Sequence, residues 1–113
     1  MKVIKKSKES VKLEEAHGGT GSRKLFLNDT ELNGVQGMTY GWLPVGNMYA
    51  WHNHDGMNEV MLVLKGTGTV RDEDGKYDYE PGDFFIFPKG VMHEIENTGR
   101  EENEFVFIRI FDK

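Results

Sequence analysis

The chain contains no cysteine, which removes disulfides, thiolate zinc sites, iron-sulfur ligation and thiol nucleophiles together. Any metal it binds must be held by nitrogen and oxygen. Long apolar runs are also missing: no stretch approaches the roughly 18 consecutive apolar residues of a membrane span, so no membrane partner is expected. The basic start Met1-Lys2-Val3-Ile4-Lys5-Lys6 leads into Ser7-Lys8-Glu9-Ser10 and not into the apolar segment of an export signal. A cytoplasmic location is the expectation. Positive charge is in deficit, with 14 Lys and Arg against 19 Asp and Glu and a formal net charge of -5. The resulting field would repel a phosphate backbone, so nucleic acid is not an expected partner.

What the chain has in abundance is glycine, 14 in 113 residues. Each glycine costs about 1 kcal/mol in a helix interior, so this composition suits a protein made of turns. Glycine and proline fall between short apolar runs whose period-two alternation predicts strands at Ser10 to Glu15, Lys24 to Asn28, Val35 to Leu43, Tyr49 to His54 and Glu59 to Lys65. Further strands are predicted at Thr69 to Asp72, Tyr77 to Glu80, Phe84 to Phe87, His93 to Asn97 and Glu104 to Phe111, with no helical window. Asp74-Gly75, Glu80-Pro81-Gly82-Asp83 and Pro88-Lys89-Gly90 are turn signals. The pattern predicts one all-β domain over residues 1–113, closed into a barrel so that few strand edges stay open. The segment from His17 to Ser22 reads as a loop.

The histidines carry the chemistry. His52 and His54 are two apart, and on a strand they would point to one face. Asp55-Gly56-Met57-Asn58 supplies a turn, after which Glu59 would return beside them with a carboxylate. His93 follows the Pro88-Lys89-Gly90 turn and closes the set if the sheet curls round. Three imidazoles and one carboxylate suit one divalent transition metal, Fe, Mn, Ni, Cu or Zn, and leave coordination positions open for water, dioxygen or substrate.

The same residues fall in two spaced patterns. Gly46, five residues, His52, one residue, His54, four residues, Glu59, six residues and Gly66 make the first. Gly82, five residues, Pro88, one residue, Gly90, two residues, His93, three residues and Asn97 make the second. They resemble the paired signatures of the cupin superfamily, with every motif position filled. The one departure is Leu43-Pro44-Val45-Gly46, where the family more often sets proline directly before glycine. The resemblance implies a double-stranded β-helix, a jelly-roll-like barrel, with the four ligands in its mouth. It also implies a homodimer sharing edge strands. The absence of cysteine excludes the family variant in which a Cys-Tyr crosslink sits beside iron.

Other residues are weighed against plainer roles. His17, outside both motifs, reads as no ligand. Gly46, Gly66, Gly82, Gly90, Pro88 and Asn97 read as turn formers. Strand parity turns Trp51 away from the face of His52 to pack behind the site, and places Ala50 and Met61 on the pocket wall. Arg109 reads first as a salt-bridging residue at a sheet edge and second as a contact for an anionic substrate. No catalytic base is marked: Lys65 is a candidate without support, and parity points Tyr49 and Glu94 away from the ligands. A barrel of this size holds one small molecule. The function expected is therefore a metal-dependent enzyme acting on a small oxygen-rich metabolite, a sugar derivative or keto acid, by dioxygenase chemistry or by Lewis-acid isomerase or lyase chemistry. The alternative is a module that binds or senses such a molecule without turnover.

Overall fold

The computed structural model describes residues 2–112. Ten strands follow one another: β1 (Leu13–Ala16), β2 (Gly21–Leu27), β3 (Val35–Leu43), β4 (Met48–His52), β5 (Met57–Lys65), β6 (Gly68–Asp72), β7 (Gly75–Tyr79), β8 (Phe84–Phe87), β9 (His93–Glu96) and β10 (Asn103–Phe111). They form two antiparallel sheets, one of six strands in the order β1-β2-β3-β10-β5-β8 and one of four in the order β4-β9-β6-β7. The crossing connections between them make a jelly-roll β-barrel.

Strands β3 and β8 run over the residues that the alternation predicts, because turn-forming residues bound both. The N-terminal region differs. The first expected strand starts three residues late, at Leu13, after a single 3-10 turn at Lys8–Ser10. The expected loop from His17 to Ser22 is a 3-10 turn, His17–Gly19, then Thr20 and the start of β2 at Gly21. His17 has φ 49°, the one non-glycine residue in the left-handed region among those described, and Gly18 and Gly19 continue at 70° and 96°. Successive positive φ values reverse the chain sharply, so β1 and β2 form a hairpin with Ala16 opposite Gly21.

The interior changes character along the barrel. Across β3, β10 and β5 one level holds Gly41, Phe105 and Val63, the next Thr39, Phe107 and Met61, and the next Gly37, Arg109 and Glu59. Phe105, Val63, Phe107 and Met61 of the first two levels belong to the apolar core with Leu43, Tyr49 and Ile95. The third opens the polar end, where the site lies. Asn97 secures the apolar end. It is fully buried and donates to the carbonyls of Leu43 (2.9 Å) and Glu101 (2.8 Å), while its Oδ1 accepts from the Gly99 amide (3.0 Å). No helix among the described residues is long and apolar enough to cross a membrane.

Candidate metal centre

His52, His54, Glu59 and His93 each offer a donor atom, and these atoms all lie within 4.8 Å of one another. Strand parity alone does not produce this. β4 ends at His52, so His54 stands in the connecting segment before the turn at Asp55-Gly56, where Gly56 takes φ 68°. The amide of Gly90 donates to the carbonyl of His54 at 3.3 Å, which ties the segment carrying two histidines to the turn that delivers the third. Glu59 is the third residue of β5 and His93 the first of β9.

Hydrogen bonds orient the rings. Nδ1 of His52 is 2.7 Å from the carbonyl of Ala50, and Nδ1 of His93 is 3.0 Å from that of Val91. A carbonyl only accepts, so each Nδ1 carries the proton and each Nε2 keeps its lone pair for the common centre. The Nε2 atoms of His54 and His93 are buried without a hydrogen-bond partner. Oε1 of Glu59 lies 3.2 Å from the first and 3.7 Å from the second. Buried lone pairs aimed at one point and left unpaired are costly unless something electropositive sits there, so the donor set fits a divalent metal.

Protonation favours the same occupant. Burial works against the charged form of Glu59, but contacts with His54 and His93 and the charge of Arg109 outweigh it, and its pKa is pushed down to about 2. The pKa of His52 is lowered, chiefly by burial. The pKa of His17 is pushed down to about 4, by burial first and then by the neighbouring His52. The Glu59 carboxylate is therefore ionised and the His52 imidazole neutral at neutral pH, the forms that bind metal, and His17 beside them is neutral too.

Beside this cluster opens a cavity of about 320 Å³. Arg109 lines it and forms the expected salt bridge, to Glu59 at 3.5 Å, but from a central strand and not from a sheet edge. Ala50 and Met61 do not line it. Met61 is fully buried one level below Glu59, inside the core. Ala50 is exposed because of a β-bulge: Tyr49 pairs with Ile95 and His52 with His93, so three steps on β4 match two on β9. The extra residue inverts the alternation. Tyr49, expected to point away, is buried and faces the cavity together with His52, and Trp51 is left 46% exposed instead of packed behind the site. Glu94 does point outward, to Arg71, and Lys65 pairs with Glu104 on the exterior.

His17 also reaches the cavity. Its ring stacks on Tyr49 with centroids 4.3 Å apart and stands edge-on to His52 at 5.0 Å. Arg23, Gln36 and Thr39 line the cavity too. No motif spacing marks these four residues: strand pairing carries Arg23, Gln36 and Thr39 to the site, and the turn between β1 and β2 carries His17.

A family model described as a cupin domain matches residues 42–109, which contain all four donor residues. Protein MJ1618 of Methanocaldococcus jannaschii is 30% identical over 99 residues, covering 88% of this chain and 79% of that one. An oxalate-binding protein of Thermotoga maritima is 34% identical over 68 residues, 60% of this chain, which spans little more than half of that relative, 56%. The crystal structure of a predicted oxalate decarboxylase from Thermotoga maritima superposes with TM-score 0.88 at 24% identity, covering 96% of this chain and 99% of that one. A sugar phosphate isomerase of the cupin superfamily from Silicibacter pomeroyi gives TM-score 0.81 at 18% identity, covering 95% and 75%. At these identities the two structures bear on the fold alone. With the family model matching more than half of the chain, and both spaced histidine motifs inside the matched span, the protein belongs to the cupin family.

Proposed function

We propose that this is a small single-domain metal-dependent cupin, in which His52, His54, Glu59 and His93 hold one divalent transition metal and the adjoining cavity admits a small oxygen-rich substrate. The observation that carries the reading is the convergence of four donor atoms within 4.8 Å, three of their residues, His52, His54 and Glu59, lining a cavity large enough for one small metabolite. A bound metal would supply Lewis acidity, or oxygen activation if it is iron. The chain's own residues do the rest. The carbonyls of Ala50 and Val91 set the tautomers of His52 and His93. Arg109 holds the second carboxylate oxygen of Glu59, while Tyr49 and Phe107 give the cavity an apolar flank.

The names of similar proteins, an oxalate-binding protein, a predicted oxalate decarboxylase and a sugar phosphate isomerase, support small oxygenated ligands. The first of these also supports the second reading, a binding module without turnover. To decide, the protein is loaded in turn with Fe(II), Mn(II), Ni(II), Cu(II) and Zn(II) and incubated with sugar derivatives and keto acids while oxygen uptake and product are followed. Oxygen uptake with Fe(II) alone supports a dioxygenase, product without oxygen an isomerase or lyase, and saturable binding without product the binding module. Metal content provides the prior check: His93→Ala should lose most of its metal, and an unchanged content would remove His93 from the coordination sphere.

The homodimer belongs to the same proposal. Leu62, Leu64, Phe84, Ile86 and Ile110, on neighbouring strands of the six-stranded sheet, are exposed, and so apolar a face favours a second copy of the chain. Sedimentation equilibrium of the wild type and of Ile86→Lys tests this, with a dimer expected to become a monomer.

A further inference from the structure

The donors of the candidate metal centre are not held equally. Glu59 and His93 are buried, and the segment carrying His54 is tied to the amide of Gly90. His52 is half-buried and ends β4, an edge strand of the four-stranded sheet. Its Nδ1 is anchored on the carbonyl of Ala50, but Ala50 sits exposed on the bulge, where water competes for that bond. Among the described residues three rings lie against His52. Two are donors themselves, His93 at 4.3 Å and His54 at 5.1 Å between centroids. The third is His17, edge-on at 5.0 Å.

A turn that bridges the two sheets brings His17 there. It joins β1 to β2 in the six-stranded sheet and makes its contacts along β4 in the other. The carbonyl of Thr20 accepts from Nδ2 of Asn47, just before β4, at 2.9 Å. The ring of His17 stacks on Tyr49 within β4, centroids 4.3 Å apart and planes 25° from parallel, and reaches His52 at the end of the strand. Gly21 lets the start of β2 close on this edge, since a Cβ there would lie 2.5 Å from the carbonyl oxygen of Trp42 and 3.4 Å from the Tyr49 ring. Away from β4 little holds the turn. Among the described residues nothing comes within 4 Å of a Cβ position at Gly18, and Gly19 meets only the carboxylate of Glu15.

The backbone of His17 points the same way. It takes φ 49°, a left-handed conformation that glycine adopts freely and that a residue with a Cβ adopts at a cost. Glycine fills the next two positions of the turn, and it would serve at residue 17 as well if reversing the chain were all that was required. Strain kept at one residue marks a side chain whose contacts offset it, and the contacts of this ring are with Tyr49 and His52.

We propose that His17 is a positioning residue for the metal donor His52, and that docking of the turn on β4 and occupation of the metal centre stabilise each other. This rests on the metal reading above, and the experiment separates the two. With the turn docked, His52 is confined to fewer ring orientations before the metal arrives, which reduces the freedom lost on binding. Linkage is reciprocal, so a bound metal fixes His52 as a partner for His17 and holds the turn in place. His17 itself remains exposed to solvent, so its replacement should leave the barrel folded.

Co(II) serves as the probe, because its visible spectrum reports the donor set. Uptake by the wild type is measured first, then release into excess chelator, then hydrogen exchange of residues 13–23 with and without metal. Metal should slow that exchange in the wild type. His17→Ala should release Co(II) about tenfold faster than the wild type and should lose the protection that metal confers on residues 13–23. His17→Phe, which keeps an aromatic ring and has no nitrogen donor, should give the wild-type spectrum and a release rate close to that of the wild type. Asn47→Ala, which unties the turn from the start of β4, should accelerate release severalfold and serves if His17→Ala does not fold.

Release at the wild-type rate from His17→Ala, or from Asn47→Ala if the former does not fold, overturns this inference and leaves the metal reading standing. Exchange of the wild-type turn that is indifferent to metal does the same. A changed spectrum in His17→Phe makes His17 a donor in its own right and overturns the positioning role, as does release from His17→Phe as fast as from His17→Ala. A wild type that takes up no Co(II) overturns both readings.

Discussion

The ring of Phe87 lies flat against the imidazole of His93, with centroids 4.0 Å apart and planes 12° from parallel. Both are buried, and Phe87 ends the strand that pairs with β5 at Glu59. One aromatic side chain thus supports one donor of the candidate metal centre and stands in register with another.

Truncating that support should act on fold and site together. Phe87→Ala is expected to cost about 3–5 kcal/mol of stability, the range for removing a buried phenyl group. Denaturant unfolding measures this. Metal affinity should fall as well, because His93 loses the face that fixes its ring, whereas Phe87→Leu should retain most of both.

Asn97 makes a second testable point. Its amide joins the end of β3 to the loop after β9 through three hydrogen bonds, the one to Leu43 buried and the other two partly buried. Asn97→Ala leaves the carbonyls of Leu43 and Glu101 and the Gly99 amide without that partner, so a loss of about 2–4 kcal/mol is expected by chemical denaturation. Metal stoichiometry should be unchanged, since Asn97 lies at the opposite end of the barrel interior.

Metal should stabilise the fold by mass action. At a free metal concentration about 100 times Kd, the gain is about 2.7 kcal/mol, a rise in Tm on the order of 10 °C for a chain of this size. Thermal scans with added metal and with excess chelator check this, and His54→Ala should show a much smaller difference between the two conditions.

The tyrosines predict an alkaline limit. Burial, then the hydrogen bond to Glu104, pushes Tyr40 up to about 12. Burial raises Tyr49 and Tyr79, and the charge of Asp72 raises Tyr77. A raised pKa means that the folded chain holds the phenolic proton more tightly than the unfolded chain. The stability this contributes is complete below about pH 10 and is lost as pH rises through the folded value, about 12 for Tyr40. Near-ultraviolet titration should find little tyrosinate in the native protein at pH 10 to 11, and its appearance on adding denaturant.

Much of the barrel was legible because its punctuation is local. Val35 to Leu43 and Phe84 to Phe87 alternate between turn-forming residues and fold as the alternation predicts. β4 was not, because a bulge is a relation between two strands. Nothing in Tyr49-Ala50-Trp51-His52 says that three steps there will face two on β9, and without that knowledge parity puts Ala50 inside and Tyr49 outside. Met61 shows a different limit: its parity is right, but depth along the barrel, which parity does not encode, buries it in the core beneath the cavity.

The sequence by itself determined the family, the strand-rich architecture and the four residues whose donor atoms meet, since the spacing of the histidines and the glycine turns around them is written in consecutive residues. Only the tertiary structure decided what faces those donors. His17 and Arg23 come from the N-terminal hairpin and Arg109 from the last strand, and pairing between β2, β3, β10 and β5 sets them around one cavity. The physical reason is that turns and alternation depend on neighbours in the chain, whereas a pocket is made by side chains whose proximity is set by long-range strand register.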